Sequence, residues 1–392
     1  MSYRRFFLNI FFFIPSWVLR IFFWKKDSYI RGQVLDFKSS LLIALTPIST
    51  LGETEFTNKL RLSINQTRAD TPVSINRPKT VISKDHNLLS EETSLLLREY
   101  IPQNILSKKV ILYFHGGGYV IGDVMTHDRW VANMANAMGV RVFSLDYSLA
   151  PENKFPKAIK DAHLAMSWLN NQNITNNNIS LCGDSAGAHL AAATSNYLAL
   201  NNMTLPSSQC LIYPMTDPFC SSESHSLFAE GYFLTSDIMV WFWEQLRSSN
   251  EDNEDPCFNL TKFPNGLNNP KTLIITAGFD PLCDEGEEYG SVVLPGLQPI
   301  AGIASSASTN RNKCSIHAMN NSDRINIEIS DIPPGVSAIR LVREDLTSDS
   351  YTANSDRPRY AVPNISTGET MTLLAGSISK ILYEDTNVEP FR

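Results

Sequence analysis

The amino-acid sequence predicts an α/β fold in which a parallel sheet is covered by helices on both faces. Short apolar runs recur through the middle of the chain, and amphipathic stretches of helical length separate them. Strands that are buried on both faces read as continuous apolar runs of this kind. The chain has 392 residues, of which 43% are hydrophobic and 19% charged, so it can bury a large core. A mainly disordered or collagen-like chain is excluded.

The predicted elements follow in order along the chain. A helical pattern runs from Gly32 to about Phe56. Two short strand-like runs follow, at Leu60–Asn65 and Pro72–Ile75. The apolar runs that predict the sheet are VILYF (110–114), VRVFSLDY (140–147), ISLC (179–182), CLIYP (210–214) and TLIITAG (272–278). The helices expected between them are Thr126–Met138, Lys157–Asn170 and Ala188–Leu200.

The sequence pattern changes after about Ser291. Residues 301–313 are small and polar, and alternating apolar positions beyond them predict a small all-β module over Arg324–Tyr383. An accessory domain, a gene fusion, and a reading-frame or assembly artefact would each explain the abrupt change. We therefore divide the chain into an apolar segment (1–27), an α/β body that is either complete or cut short at its carboxyl end (28–290), a linker (291–323) and a β module (324–392).

The amino-terminal segment, residues 4–26, is intensely apolar and is flanked by basic residues on both sides. A signal peptide would need a small-residue cleavage site, and none follows. A helix that spans a bilayer would have to accommodate three interruptions, at Asn9, Pro15 and Arg20. Insertion into the membrane interface, with Trp17 and Trp24 at headgroup level, fits these interruptions best. We expect membrane association with the body in the cytoplasm; the alternative is a segment that folds over an apolar cleft of the same molecule.

Charge and cysteine content exclude further classes. Lys and Arg number 33 against 40 Asp and Glu, a net charge of −7, and there is no basic tract. Nucleic-acid binding needs such a tract to displace counterions from phosphates. The six cysteines are scattered without a C-x-x-C pair, so we expect reduced, mostly buried thiols and neither a disulfide framework nor a zinc site. No metal and no cofactor is expected.

The pentapeptide Gly183-Asp184-Ser185-Ala186-Gly187 follows a predicted strand and opens a predicted helix. Glycines two residues before and after the serine permit a sharp, strained turn that exposes its hydroxyl above the amino end of a helix. We interpret Ser185 as a nucleophile. A glycine-rich turn with an incidental serine is the alternative.

A second motif, His115-Gly116-Gly117-Gly118-Tyr119, directly follows the apolar run at 110–114. Successive glycines let backbone N–H groups converge on one point, which is what the oxyanion of an acyl-transfer intermediate requires. Each such donor is typically worth about 2.7–4 kcal/mol of barrier. A flexible glycine turn is the alternative, but its position after a strand and ahead of the serine motif favours an oxyanion hole.

Several stretches together resemble the hormone-sensitive-lipase-like family of α/β hydrolases. They are HGGGY (115–119), DYSLAPE (146–152) with KFPKA (154–158), GDSAG (183–187), YPMTD (213–217) and TLIITAGFDPLCDEGEEY (272–289). The likeness covers roughly residues 32–290, in the family's order and spacing. It implies an α/β-hydrolase sandwich with an amino-terminal helical cap, and a carboxylic-ester hydrolase, esterase or lipase-like, that acts on small acyl esters without a cofactor.

The resemblance also implies roles for individual residues. Ser185 matches the nucleophile and Asp280 the acid of a Ser-His-Asp triad. The N–H groups that match the oxyanion hole are those of Gly116, Gly117 and Ala186. The acyl pocket would draw on the sequence before Leu60 and on Glu230–Trp243.

Asp280 also merits its role by position, because it stands just after the buried run at 272–278. There a carboxylate can reach a histidine ring, fix its tautomer and stabilise the imidazolium. Capping of the following helix is compatible with this role. The other acidic residues nearby are expected to form a solvated first turn of that helix; they are Asp284, Glu285, Glu287 and Glu288.

A triad in this chain order needs a histidine after Asp280, and His317 is the candidate. The segment around it is only a weak echo of the family's histidine segment. A Ser/Ala/Asn-rich linker stands where a helix and a buried strand should precede it, and β alternation stands where a closing helix should follow. His225, in the stretch SSESHS, is expected to lie in a surface loop.

Three functional hypotheses follow. The leading one is a serine-dependent ester hydrolase in which His317 relays the proton. The second is a hydrolase-like protein that has lost its base and binds a small ligand without turnover, as do the gibberellin receptors that resemble this family. The third is a damaged product that folds poorly because a core strand is missing.

Overall fold

The structure is a computed structural model that describes residues 14–23, 29–31, 33–45, 56–70, 76–89, 94–264 and 268–293, and the backbone of seven further strands. Its α-helices are α1 (Ser16–Phe22), α2 (Phe37–Leu45), α3 (Asn58–Asp70), α4 (Val124–Met138), α5 (Lys157–Asn171), α6 (Ala186–Leu200), α7 (Glu223–Leu227), α8 (Ser236–Leu246) and α9 (Cys283–Val293). Short 3₁₀ turns lie at Asn176–Asn178, Asn250–Glu254 and Leu260–Lys262.

The strands of the amino-terminal part and the body are β1 (Tyr29–Ile30), β2 (Gln33–Val34), β3 (Val81–Leu89), β4 (Ser94–Pro102), β5 (Val110–Phe114), β6 (Arg141–Leu145), β7 (Ile179–Asp184), β8 (Ser208–Ile212) and β9 (Lys271–Ile275). In the sheet of the body they lie in the order β3-β4-β6-β5-β7-β8-β9. The five strands from β6 to β9 in this order are parallel. They confirm the predicted α/β fold, since each arises from one of the five apolar runs.

Strand β5 shows how both faces of this sheet are buried. Ile111 and Tyr113 pack with residues of α4 on one face, whereas Leu112 and Phe114 join residues of α5 and α6 on the other. Alternate residues of a strand point to opposite faces, so one strand serves both halves of the core. Helix α6 is buried on nearly all sides and contacts both β5 and β7. Its alanines allow that close approach to the sheet.

The predicted strand at Leu60–Asn65 is wrong, because these residues lie within helix α3. Leu60, Leu62 and Ile64 alternate as in a strand, yet the side chain of Leu62 is 67% exposed. The buried side chains of this stretch are instead Arg61 and Asn65, four residues apart and thus on one face of a helix. They bind the backbone of the body, as described below. The other predicted strand, at 72–75, lies outside the described residues.

The amino-terminal residues form small elements that pack together. The helix expected from Gly32 is interrupted: β1 and β2 pair as a hairpin, and α2 follows. Leu19 of α1 is buried against Phe37 and Leu41 of α2. Within the part of the chain that the structure describes, no helix has both the length and the apolar character needed to cross a bilayer.

Beyond α9 the chain forms β10 (Ile300–Ala301), β11 (Ser315–Ala318), β12 (Arg324–Glu328), β13 (Val336–Val342), β14 (Arg359–Pro363), β15 (Thr370–Leu374) and β16 (Lys380–Asp385). Strand β11 pairs antiparallel with β9, and the sheet continues in the order β11-β10-β16-β13-β14. β12 and β15 pair separately. The division into a body, a linker and a module stays a prediction.

Candidate active site

Ser185 lies at the turn between β7 and α6, as the pentapeptide predicts. Its backbone has φ 53° and ψ −118°, a strained conformation for a residue with a side chain. Its N–H donates to the carbonyl oxygen of Ile212 at 2.8 Å, which ties the turn to β8. The side chain is partly exposed, and the amino end of α6 begins at the next residue. Ser185 therefore stands in a sharp strand-to-helix turn at the carboxyl edge of a parallel sheet, where α/β folds carry their functional groups.

The two flanking glycines are required by packing. A Cβ atom built on Gly187 would lie 2.0 Å from the carbonyl oxygen of Phe114. One built on Gly183 would lie 2.3 Å from the backbone of Gly187. The backbone leaves no room for a side chain at either end of the pentapeptide, which accounts for the glycines two residues before and after Ser185.

The glycine loop that follows β5 approaches this turn. Gly117 and Gly118 have φ of 134° and 60°, values that favour glycine. A Cβ on Gly118 would lie 2.1 Å from the ring of Phe242 in α8, so this helix of the predicted cap covers the loop. Within the described residues, the N–H groups of Gly117, Gly118 and Ala186 bond to no acceptor.

The prediction that Gly116 serves the oxyanion hole is wrong in this geometry. Its N–H donates to Oδ1 of Asp184 at 3.0 Å, so this donor is already committed within the protein. A Cβ on Gly116 would lie 2.3 Å from the other carboxylate oxygen. Gly116 is thus the point where the loop contacts the strand of the nucleophile. The neighbouring Gly118 keeps its N–H unbonded instead.

Buried aromatic and histidine side chains support the loop from below. Tyr147 donates its hydroxyl hydrogen to the carbonyl oxygen of His115 at 2.6 Å, and the two rings stack at 4.4 Å. Burial lowers the pKa of His115 to about 4, with a further contribution from His127, so its imidazole is neutral at neutral pH.

A second chain of hydrogen bonds links the loop to α6. Nε2 of His189 donates to the carbonyl oxygen of Phe258 at 2.8 Å, so Nδ1 accepts from the hydroxyl of Tyr119 at 2.6 Å. Burial lowers the pKa of His189 to about 4. His189 is therefore a neutral structural group, one helical turn after Ser185.

Helix α3 holds the segments that flank the loop. Arg61 donates to the carbonyl oxygens of Val120 and Ala150 at 2.7 and 2.6 Å, and pairs with Glu152 at 2.6 Å. Asn65 exchanges two hydrogen bonds with the backbone of Gly122. No sequence pattern above singles out these residues, because a buried Arg and Asn in a polar helix leave no apolar signal.

Asp280 lies in the loop after β9, at the edge where Ser185 emerges. Ile212 of β8 pairs with both Asp184 and Ile275, so the ends of β7, β8 and β9 are level. Adjacent strands are about 4.8 Å apart, which places the two loops about 10 Å from each other at their bases. Oδ1 of Asp280 accepts the N–H of Leu282 at 3.0 Å, just before α9. Burial raises the pKa of Asp280 to about 6.

The backbone of His317 lies in β11, next to the strand that leads to Asp280. His317 pairs with Ile274, one position inside the Ile275–Ile316 pair at the carboxyl end of β9. The backbone of His317 therefore lies close to the carboxyl end of β9. The side chain of His317 is outside the described part of the structure, and its role as a base stays a prediction.

The expected solvated acidic turn is wrong for most of its members. Glu285 is buried and its carboxylate accepts from the N–H of Thr216 and pairs with Nε2 of His225, both at 2.6 Å. Asp284 pairs with Arg31, which joins the amino-terminal hairpin to α9. Glu287 is half-buried, and only Glu288 of the four is exposed.

His225 is likewise not a surface residue. It lies in α7 and its side chain is 2% exposed. Its only described side-chain partner is Glu285, since Nδ1 of the ring is buried without one. The two residues of this pair are 60 positions apart in the sequence. Local sequence cannot reveal such a partnership.

Among the residues that the structure describes, no three or more His, Cys, Asp or Glu side chains are grouped so that they could hold a metal ion. The five cysteines of the described part are free, and three of them are buried: Cys182, Cys257 and Cys283. The expected burial holds for three of these five cysteines.

Comparison with known proteins agrees with this geometry. The chain matches the model of a family described as having an alpha/beta hydrolase fold over residues 111–294. It is 36% identical to an ethyl acetate hydrolase of Pseudomonas putida, over 47% of this chain and 59% of that protein. It is 32% identical to an arylesterase of Saccharolobus solfataricus, over 53% of this chain and 69% of that protein.

A solved ester hydrolase from the metagenome of Lake Arreo superimposes with a TM-score of 0.58 at 30% identity, covering 65% of this chain and 84% of that one. The chain thus spans less than two thirds of the Pseudomonas relative but most of the solved structure. The matched segment carries Ser185, the glycine loop and Asp280, and ends before His317. By these matches and by its fold, the chain belongs to the hormone-sensitive-lipase-like family of α/β hydrolases.

Proposed function

We propose that this protein is a serine-dependent carboxylic-ester hydrolase that acts on small acyl esters. The observation that carries the proposal is the strained Ser185 turn beside a glycine loop with unbonded N–H groups. The names of the related esterases support the same reaction class. No metal or cofactor enters the proposed chemistry.

In the proposed mechanism, Oγ of Ser185 attacks the ester carbonyl carbon and its proton passes to a histidine, for which His317 is the candidate. Asp280 orients that histidine and stabilises its charged form. The carbonyl oxygen becomes an oxyanion that accepts from the N–H groups of Gly117, Gly118 and Ala186. The alcohol leaves with the proton, and water then releases the carboxylic acid from the acyl enzyme. We propose that α8 and the segment around α3 bound the acyl pocket.

The proposal is tested by labelling with a fluorophosphonate and by hydrolysis of p-nitrophenyl acetate and butyrate. We expect one label per chain, located on Ser185 by peptide mass spectrometry, together with ester turnover. Labelling needs an activated serine, so an unlabelled chain contradicts the proposal. Binding of an ester without label or turnover would instead support the ligand-binding alternative. The exposed Ser226 serves as the control site, which stays unlabelled.

We further propose that residues 4–26 attach the protein to a membrane surface, with the body on the cytoplasmic side. Three apolar side chains of α1 face outward in support of this: Trp17, Ile21 and Phe22 are 68%, 70% and 75% exposed. Basic residues flank the segment in sequence and favour anionic lipids.

Vesicle flotation tests this attachment. We expect the full chain to float with vesicles that contain phosphatidylserine. The double variant Ile21→Asp/Phe22→Asp should bind these vesicles at least tenfold more weakly. Ile82→Asp is the matched control, because Ile82 is 69% exposed on β3 of the body. Equal binding by both variants would exclude α1 as the contact. Protease access to the body in intact and opened cells reports its side of the membrane.

A further inference from the structure

Asp184, the residue before the nucleophile, has more contacts than a turn residue requires. It is buried, with 8% of its surface exposed. Oδ1 accepts the hydroxyl of Tyr113 at 2.5 Å and the N–H of Gly116 at 3.0 Å. Oδ2 lies 3.4 Å from Nε2 of His127. One carboxylate therefore joins β5, the glycine loop and α4 to the strand of Ser185.

The carboxylate is charged at neutral pH. Burial alone would raise the pKa of Asp184, but His127 and the Tyr113 hydroxyl outweigh it and hold the pKa well below its usual range. Hydrogen bonds to an ionised acceptor are shorter and stronger than those between neutral groups. The bond from the Gly116 N–H to Asp184 is therefore a firm attachment.

This attachment determines where the next two N–H groups lie. Gly116 packs so closely on Asp184 that a Cβ would lie 2.3 Å from Oδ2 and 2.8 Å from the Asp184 carbonyl oxygen. Asp184 and Ser185 are consecutive, so the contact with Asp184 fixes the position of the glycine loop relative to the nucleophile through a single peptide bond. Donors of an oxyanion hole act only if they are already in place when charge develops.

We propose that Asp184 is a positioning residue for the transition state: its carboxylate clamps the glycine loop to the nucleophile strand and so places the N–H groups of Gly117 and Gly118 against the oxyanion. The proposal rests on the proposed ester hydrolysis. In this proposal Gly116 makes the contact that holds the loop, and Asp184 is the acceptor of that contact.

The test compares Asp184→Ala and Asp184→Asn with the wild type in the full chain. Fluorophosphonate titration gives the concentration of reactive serine, and kcat and KM are measured for p-nitrophenyl butyrate. Affinity for a trifluoromethyl ketone, which forms a tetrahedral adduct with the serine, reports oxyanion stabilisation directly.

We expect Asp184→Ala to lower kcat per reactive serine at least 100-fold with KM within about threefold of the wild type, as for loss of oxyanion-hole donors. The ketone affinity should fall in proportion. Asp184→Asn keeps an acceptor for Gly116 but no charge, so we expect it to restore kcat to within about tenfold of the wild type.

A purely structural role would lower the fraction of reactive serine and leave kcat per reactive serine and the ketone affinity unchanged, which would overturn the proposal. If Asp184→Ala does not fold, Asp184→Asn decides: a threefold to tenfold loss of kcat at constant KM supports the clamp, and an unchanged kcat excludes it. A wild type that neither labels nor turns over ester overturns the proposed function as well, whereas an active wild type with unaffected variants overturns only the clamp.

Discussion

Replacement of Ser185 by alanine is expected to lower kcat for p-nitrophenyl esters by about 10⁶-fold, to the level that binding and the oxyanion donors sustain alone. The variant retains the loop and the pocket, so its affinity for substrate should stay close to that of the wild type. Steady-state hydrolysis and equilibrium binding of a non-hydrolysable ester analogue measure the two effects separately. The Ser226→Ala control should retain full activity, because that exposed residue lies in α7. Substantial turnover in Ser185→Ala would exclude this serine as the nucleophile.

Ser185→Gly is the informative companion variant. Alanine retains the strained backbone conformation at φ 53° and ψ −118°, whereas glycine adopts positive φ without steric cost. Strain of this type costs about 1–3 kcal/mol, and the greater chain entropy of glycine offsets about 0.5–1 kcal/mol of the relief. We therefore expect both variants to be inactive and Ser185→Gly to be more stable than Ser185→Ala by about 1 kcal/mol, as measured by denaturant unfolding. Equal stability would mean that the strain of the turn does not exceed the entropy cost of glycine, about 0.5–1 kcal/mol.

The parallel sheet was predictable because its signal is local. Residues 110–114 and 179–182 are buried on both faces, and a strand in that environment is an unbroken apolar run. The edge strand β3 is mostly exposed, and the neighbouring β4 alternates between buried and half-buried residues. Both strands carry charged residues, such as Lys84 and Arg98. Because of this mixture, neither strand shows the continuous apolar run from which the other strands were predicted. The strand predicted at Leu60–Asn65 was wrong for the converse reason. Its apolar residues alternate as in a strand, but Arg61 and Asn65 form the buried face of a helix.

The site was predictable where the backbone imposes the sequence. Only glycine fits at 183 and 187, so the pentapeptide 183–187 is enough to predict the turn around Ser185. The role of Gly116 was not legible, since three successive glycines look alike until the Asp184 contact separates them. Glu285 and His225 were misjudged because each needs the other, and pairing across 60 residues is a property of the fold.

Two elements meet at the glycine loop and connect the chemistry to the rest of the molecule. Asp184 bonds to it at Gly116 from the nucleophile strand, and Phe242 of α8 covers it at Gly118. The ring leaves no space for a Cβ atom at Gly118, so α8 limits how far the loop can move. A helix that bounds the proposed acyl pocket therefore also restricts the proposed oxyanion donors.

Asp280→Asn is expected to lower kcat by about 10⁴-fold, because an amide can neither hold the histidine in the required tautomer nor stabilise its charged form. The substitution is nearly isosteric and an amide oxygen can still accept the N–H of Leu282, so the start of α9 should persist. Intact fluorophosphonate labelling at wild-type rate, or kcat within tenfold of the wild type, would exclude Asp280 as the triad acid. Glu288→Gln is the matched control, since Glu288 is the exposed acidic residue of the same helix.

Asp280→Asn is expected to stabilise the folded protein at neutral pH although it lowers activity. Burial raises the pKa of Asp280 from 3.8 to about 6, so between these values the folded chain holds a proton that the unfolded chain has released. The free energy of unfolding of the wild type therefore falls as pH rises from about 4 to about 6, and Asp280→Asn escapes that loss. We expect the variant to have a higher Tm than the wild type at pH 7 and the same Tm near pH 4. The wild-type kcat/KM should rise over the same interval, because only the ionised carboxylate serves the triad; a Tm difference that does not depend on pH would show that Asp280 does not titrate there.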